Sequence, residues 1–116
     1  MVSGILPFCA VGRSRMRIVC LFNLLPGVDP VAYEAWARTT DIPGVNALPS
    51  VTSFSVHKAT GLFGSAAPSP YHYVEVIDIK GLDGFVGDVS DPEFQKVAAA
   101  FGNFADNPIF ILTEDL

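Results

Sequence analysis

Residues 17–25 are dominated by Ile, Val, Leu and Phe, alternate weakly and stop at the turn dipeptide Pro26-Gly27, a pattern that predicts a mostly buried strand. Asp29-Pro30 follows: a carboxylate able to accept from the free amides of a first helical turn, and a proline preset for the first helical position. "VAYEAWAR" therefore opens a helix that runs to about Thr39. Pro43, Gly44 and Pro49 make 41–50 a connector with room for one helical turn. Alternation returns over 51–59, with Phe54 and Val56 on one face and Ser53, Ser55 and His57 on the other, which predicts a second strand. "TGLFGSAAPSP" at 60–70 reads as a loop, and 71–80, β-branched and aromatic, as the clearest strand of the chain. A helical turn at 82–89 precedes Asp91-Pro92, which repeats the capping chemistry. Phe94, Val97, Ala98 and Phe101 then fall at i, i+3, i+4 and i+7, the stripe of an amphipathic helix. "PIFILT" at 108–113 is a last short strand.

The order is βαββαβ. It predicts an α+β, ferredoxin-like fold: a four-stranded antiparallel sheet with two helices on one face. The other face of so apolar a sheet needs cover, and a second copy of the same sheet provides it, so a homodimer is expected. Alternation assigns Ile18, Cys20, Phe22, Phe54, Val56, Val74 and Val76 to the helix-covered face. The opposite face collects Val19, Leu21, Asn23, Ser53, Ser55, His57, Tyr71, Tyr73, Glu75 and Ile77, and its mixed polar and aromatic character resembles a ligand pocket with a few convergent polar groups. A satisfied polar network across a dimer interface is the competing reading of the same residues.

At 116 residues the chain is one domain, assigned here to 16–116, with 1–15 expected to be a disordered tail or an over-called start. Seven basic against twelve acidic residues give a net charge of −5, which removes nucleic acid and anionic membrane surfaces as partners. No apolar run approaches the length of a bilayer span, and the first residues lack the basic flank of a signal peptide. Cys9 and Cys20 form no disulfide framework, which points to a reducing, cytoplasmic setting. Two histidines on opposite faces and scattered acids show no metal-ligand spacing, and "GLFG" does not open a helix as a phosphate-binding loop would. No metal and no cofactor is expected.

The chemistry rests on His57 and Glu75, an imidazole and a carboxylate on adjacent strands that together can divide general acid and base work near neutral pH. A structural hydrogen-bonded pair is the alternative. Asn23, at the end of the first strand, is a candidate ligand donor or a turn-capping amide. Tyr33 and Trp36 share a helix face, where they either line the mouth of the site or join the core. Ser55 and Tyr73 complete the candidate ligand-binding set, and His72 is the second imidazole.

Three segments, "RIVCLFNLLPGVDPVAYEAWA", "YHYVEVIDIKGLDGFVGDVSDPEFQKVAAAF" and "NFADNPIFILTE", resemble the dimeric α/β-barrel superfamily and, within it, the HapK family of RedY-like proteins. The likeness spans about residues 16 to 116. It implies a ferredoxin-like protomer whose sheet pairs with a second sheet to close a barrel. It also implies a role in bacterial pathways to prodigiosin-type tripyrroles or bisindoles, in condensation or cyclisation of a small aromatic metabolite. Three functions are carried forward: a cofactor-free acid–base enzyme, a carrier of a hydrophobic metabolite, and a cofactor-independent monooxygenase.

Overall fold

The computed structural model describes residues 15–116; the expected tail at 1–15 otherwise lies outside the described residues. The elements are β1 (Met16–Leu24), α1 (Pro30–Trp36), a π-helical turn (Ala37–Asp41), α2 (Ile42–Asn46), β2 (Val51–Lys58), β3 (Tyr73–Ile79), α3 (Leu82–Val89), α4 (Pro92–Gly102) and β4 (Ala105–Thr113). Both Asp-Pro pairs start helices as the sequence predicts. Asp29 Oδ1 accepts from the Val31 N–H at 3.0 Å, and Asp91 Oδ2 accepts from the Glu93 N–H at 3.0 Å. Gly27, at φ 84°, takes the left-handed conformation that turns β1 toward α1.

The strands form one antiparallel sheet in the order β2-β3-β1-β4, the ferredoxin-like arrangement. Two bulges adjust it. On β2 one extra residue between Val51 and Ser53 lets Val51 and Phe54, three apart, both point into the core. On β4 the extra residue lies opposite Phe22, where Asn107 adopts φ 47°.

The connector expected at 41–50 is helical instead. A π turn, closed by the Ile42 N–H to the Ala37 carbonyl, inserts one residue and brings Pro43 into the first turn of α2, where a missing N–H matters least. Tyr33, Ala37, Asp41 and Val45, every fourth residue, are consequently all buried. Asn46 then fastens α2 to β2, donating to the Phe54 carbonyl and accepting from the Phe54 N–H, both at 3.0 Å. The turn expected at 82–89 is a full helix, and β4 starts three residues earlier than expected, so that Asp106 pairs with Asn23 rather than serving a loop.

The core has two apolar clusters on the helix-covered face of the sheet. One is aromatic: Phe22 stacks on Tyr73 and meets the edges of Tyr33 and Phe101 at centroid distances of 5.0–5.6 Å. The other is built from Ile18, Val45, Val51, Phe54, Ile77 and Ile79. By contrast, α3 and α4 carry no fully buried residue and reach the core through the half-buried rings of Phe85, Phe94 and Phe101. Across the sheet, Val19, Leu21, Val74 and Val76 are half-buried and Ile109 and Ile111 exposed, an apolar face without cover in the single chain.

Phe22 is fully buried and central to the aromatic cluster, so Phe22→Ala is expected to cost about 3–5 kcal/mol of unfolding free energy in urea denaturation. A change below about 1 kcal/mol would show that this cluster is not the principal core.

Candidate functional site

A cavity of about 320 Å³ lies between α3 and α4 on one side and β2–β3 on the other. Its walls are apolar: Phe54 and Ile77 from the sheet, and the whole predicted stripe of α4, Phe94, Val97, Ala98 and Phe101, from above. Two carboxyl groups interrupt this lining, Glu75 on the sheet and Asp41 on the π turn. Glu75 is 3% exposed and Asp41 5% exposed. Both sit at the seam between the two apolar clusters: Glu75 lies along β3 between Tyr73 and Ile77, and Asp41 along the helix between Ala37 and Val45.

Burial dominates the electrostatics. Desolvation, reinforced by the Asp41 charge and only partly opposed by a hydrogen bond with the Cys20 thiol, pushes the Glu75 pKa up to about 8. Burial alone raises Asp41 to about 6. Near neutral pH Glu75 is therefore chiefly the neutral acid and Asp41 chiefly the carboxylate. Glu75 Oε2 and the Tyr33 hydroxyl are buried without hydrogen-bond partners. Burial, then the Glu75 and Asp41 charges, hold the Tyr33 phenol and the Cys20 thiol far above their ordinary ranges, which leaves both neutral.

Strand register separates the pair that the sequence placed together. Glu75 pairs with Cys20 and with Val56 and shares their helix-covered face, whereas His57 pairs with Val74 on the uncovered face. The expected assignment of β3 was thus inverted: Tyr73, Glu75 and Ile77 point inward, Val74 and Val76 outward. Both sets contain enough apolar side chains to look like a core face, so alternation alone does not choose between them.

His57 is exposed, and its Nε2 lies 2.9 Å from Ser55 Oγ on that outer face. Asn23 holds the backbone leading into β3: its Nδ2 donates to the Pro70 carbonyl at 3.1 Å and its Oδ1 accepts from the His72 N–H at 3.0 Å. Tyr33 and Trp36 share a face as expected and both join the aromatic core, Trp36 against Phe101 and Phe104. Tyr73 is buried beside them, and its hydroxyl donates to Glu34 Oε2 at 2.6 Å. That bond, together with Lys58, holds the Glu34 carboxyl below the usual range. Of the candidate site residues singled out in the sequence only Glu75 lines the cavity; Tyr33, Trp36 and Tyr73 belong to the aromatic cluster beside it, and Ser55, His57 and Asn23 lie elsewhere. Asp41 was missed, although an acid in a four-residue repeat with Tyr33, Ala37 and Val45 was the legible sign of a buried carboxyl.

A larger, open hollow of about 490 Å³ lies at the loop end of the sheet, lined by His72, Tyr71 and Lys58 among others. The His72 Nδ1 accepts from the Leu24 N–H at 3.0 Å. This hollow contains none of the buried, unpartnered polar atoms, whereas the helix-side cavity contains Glu75 Oε2. Among the described residues no group of acidic, His and Cys side chains has a metal-binding arrangement, and no helix is long and apolar enough to cross a membrane.

A four-stranded antiparallel sheet covered on one face, with a carboxyl-bearing cavity beneath the helices, defines an α+β protein of the ferredoxin-like class. Residues 16–116 match the family of REDY-like protein HapK, and the chain belongs to that family. It is similar to HapK from Hahella chejuensis, at 31% identity over 87% of this chain and 92% of that one, with a TM-score of 0.71. A dimeric ferredoxin-like protein of unknown function from Thermobifida fusca superposes with a TM-score of 0.64 at 20% identity, over 87% and 91% of the two chains. SnoaB, a cofactor-independent oxygenase from Streptomyces nogalater, does so with a TM-score of 0.63 at 17% identity, over 86% and 91%. The last two likenesses establish the fold alone. No curated sequence matches the chain.

The raised Glu75 pKa links folding to pH. An acid whose pKa rises from 4.5 to about 8 on folding favours the native state fully below about pH 4.5, and that advantage shrinks until the pH passes 8. The Tm of the wild type relative to Glu75→Gln is expected to fall between pH 5 and 8, each lost kcal/mol lowering it by roughly 4–8 °C. A difference in Tm that does not change with pH would show that Glu75 ionises freely in the folded protein.

Proposed function

We propose that this protein is a cofactor-free acid–base enzyme of bacterial secondary metabolism, which binds a small aromatic N-heterocyclic intermediate in the helix-side cavity and promotes its condensation or ring closure. The carrying observation is the Glu75 carboxyl: buried, with one oxygen unpartnered, and held neutral near pH 7 in an apolar cavity large enough for a flat ligand of a few rings. Such a group can protonate a carbonyl or ring nitrogen at the moment of bond formation and recover the proton afterwards. Membership of the HapK family supports the metabolic setting. His57, on the uncovered face, is assigned to the interface rather than to catalysis.

The working unit is a cytoplasmic homodimer in which the uncovered sheets of two copies face each other. The apolar centre formed by Val19, Leu21, Val74 and Val76, rimmed by the Arg17–Asp78 ion pair at 2.7 Å, suits such an interface. Native mass spectrometry is expected to report a dimer for the wild type and a monomer for Leu21→Arg; a wild-type monomer would refute the sheet-to-sheet assembly.

Pyrrole- and indole-derived intermediates are the substrates to test. Glu75→Gln is expected to lower kcat by about 10²–10⁴ with the dimer intact, and His57→Ala to leave kcat within a few-fold. The wild-type kcat/KM should decline as the pH rises past about 8, because the active form carries the Glu75 proton. Full turnover by Glu75→Gln would dismiss the acid–base role, and binding of these compounds by the wild type without any turnover would favour a carrier. Oxygen consumption coupled to turnover would instead favour a cofactor-independent oxygenase, the activity that SnoaB, of the same fold, carries in its name.

A further inference from the structure

Two carboxyl groups share this cavity. Among the described residues no Lys, Arg or His lines it, while Asp41 and Glu75 both do. The groups whose charge or hydrogen bonding reaches this pair are the Cys20 thiol from β1 and the Tyr33 phenol from α1, both neutral, and α4 contributes the uncharged Gln95 to the wall. Arg38 and Lys58, borne by the π turn and the end of β2, are engaged elsewhere. They meet Glu34 at 3.5 and 3.1 Å and so answer a different carboxylate. A buried carboxylate without a cation is among the least favourable groups in a folded interior, unless a ligand supplies the charge.

We propose that Asp41 is the specificity-determining residue of this cavity, and that the cavity takes its ligand as a heteroaromatic cation whose N–H groups lie between the Asp41 carboxylate and the Glu75 carboxyl. Glu75 lines the cavity from the sheet and Asp41 from the π turn, so a ligand held there has both carboxyl groups on its walls. Glu75 Oε2, buried and unpartnered, is free to accept one N–H. Phe54, Phe85, Phe94 and Phe101 also line the cavity, and aromatic rings attract a delocalised cation as well as burying its apolar surface. An anionic ligand would add a further negative charge to a site that already holds one. The assignment rests on the proposed reading only in placing the ligand in the helix-side cavity; it requires no turnover.

Three probes of similar shape test it by calorimetry at pH 7.5 on the intact protein: 4-aminoquinoline, a cation; 1-naphthylamine, neutral; and 1-naphthoate, an anion. The cation is expected to bind at least about tenfold more tightly than the neutral amine, and the anion not measurably, since a charge-assisted hydrogen bond in a dry site is worth a factor of ten or more. Asp41→Asn should weaken 4-aminoquinoline at least about tenfold and abolish its preference over 1-naphthylamine. In the wild type, affinity for 4-aminoquinoline should weaken as the pH falls through about 6 and Asp41 takes up its proton, a readout that needs no variant to fold. Equal affinities across the series, preference for 1-naphthoate, or no binding of any probe would overturn the assignment. Charge preference with full turnover by Glu75→Gln would remove the acid–base reading and leave this one standing; preference for 1-naphthoate with loss of turnover in that variant would do the reverse.

Discussion

The pairing of Cys20 with Glu75 across β1 and β3 decides the character of this molecule. It places an ionisable group at the centre of the sheet, on the face that the helices cover, where water is excluded and the neutral form is favoured. The rest of the arrangement follows from accommodating that carboxyl. Apolar clusters close around it on both sides, the neighbouring thiol and phenol stay protonated, and the second acid of the cavity has no basic side chain beside it among the described residues that line the cavity.

The two crossover connections contribute unequally. The first is tightly docked: α1, the π turn and α2 bury Tyr33, Ala37, Asp41 and Val45, and the Asn46 amide locks the end of α2 to β2. The second, α3 and α4, buries no residue fully and leaves the cavity beneath it. One half buries its carboxyls within the packed core, and the other bounds the cavity with half-buried aromatic rings. The same division accounts for the π turn. The widened helix accommodates Pro43 and at the same time delivers Asp41 to the cavity wall.

The element order, the caps and the helix stripe were legible in the chain because each depends on interactions between near neighbours in sequence. Asp29 and Asp91 cap helices two residues away, and Phe94, Val97, Ala98 and Phe101 share a face by helical geometry alone. The site was half legible. Glu75 was among the candidate residues, but His57 was joined to it through an inverted face for β3, Tyr33 joined the core, and Asp41 was passed over inside a segment whose two prolines and glycine argued against a helix.

By itself the sequence determined an α+β chain of βαββαβ order with an apolar sheet, acidic overall and lacking metal-ligand spacing, since composition and local periodicity carry that information. Only the tertiary structure decided which side of β3 faces the helices. In β3 both alternating sets are largely apolar, so the choice was made by pairing with β1, a contact more than fifty residues away along the chain. That choice turned Glu75 from the expected partner of His57 on the uncovered face into a buried acid that shares a cavity with Asp41, because desolvation is a property of the assembled interior and not of any segment within it.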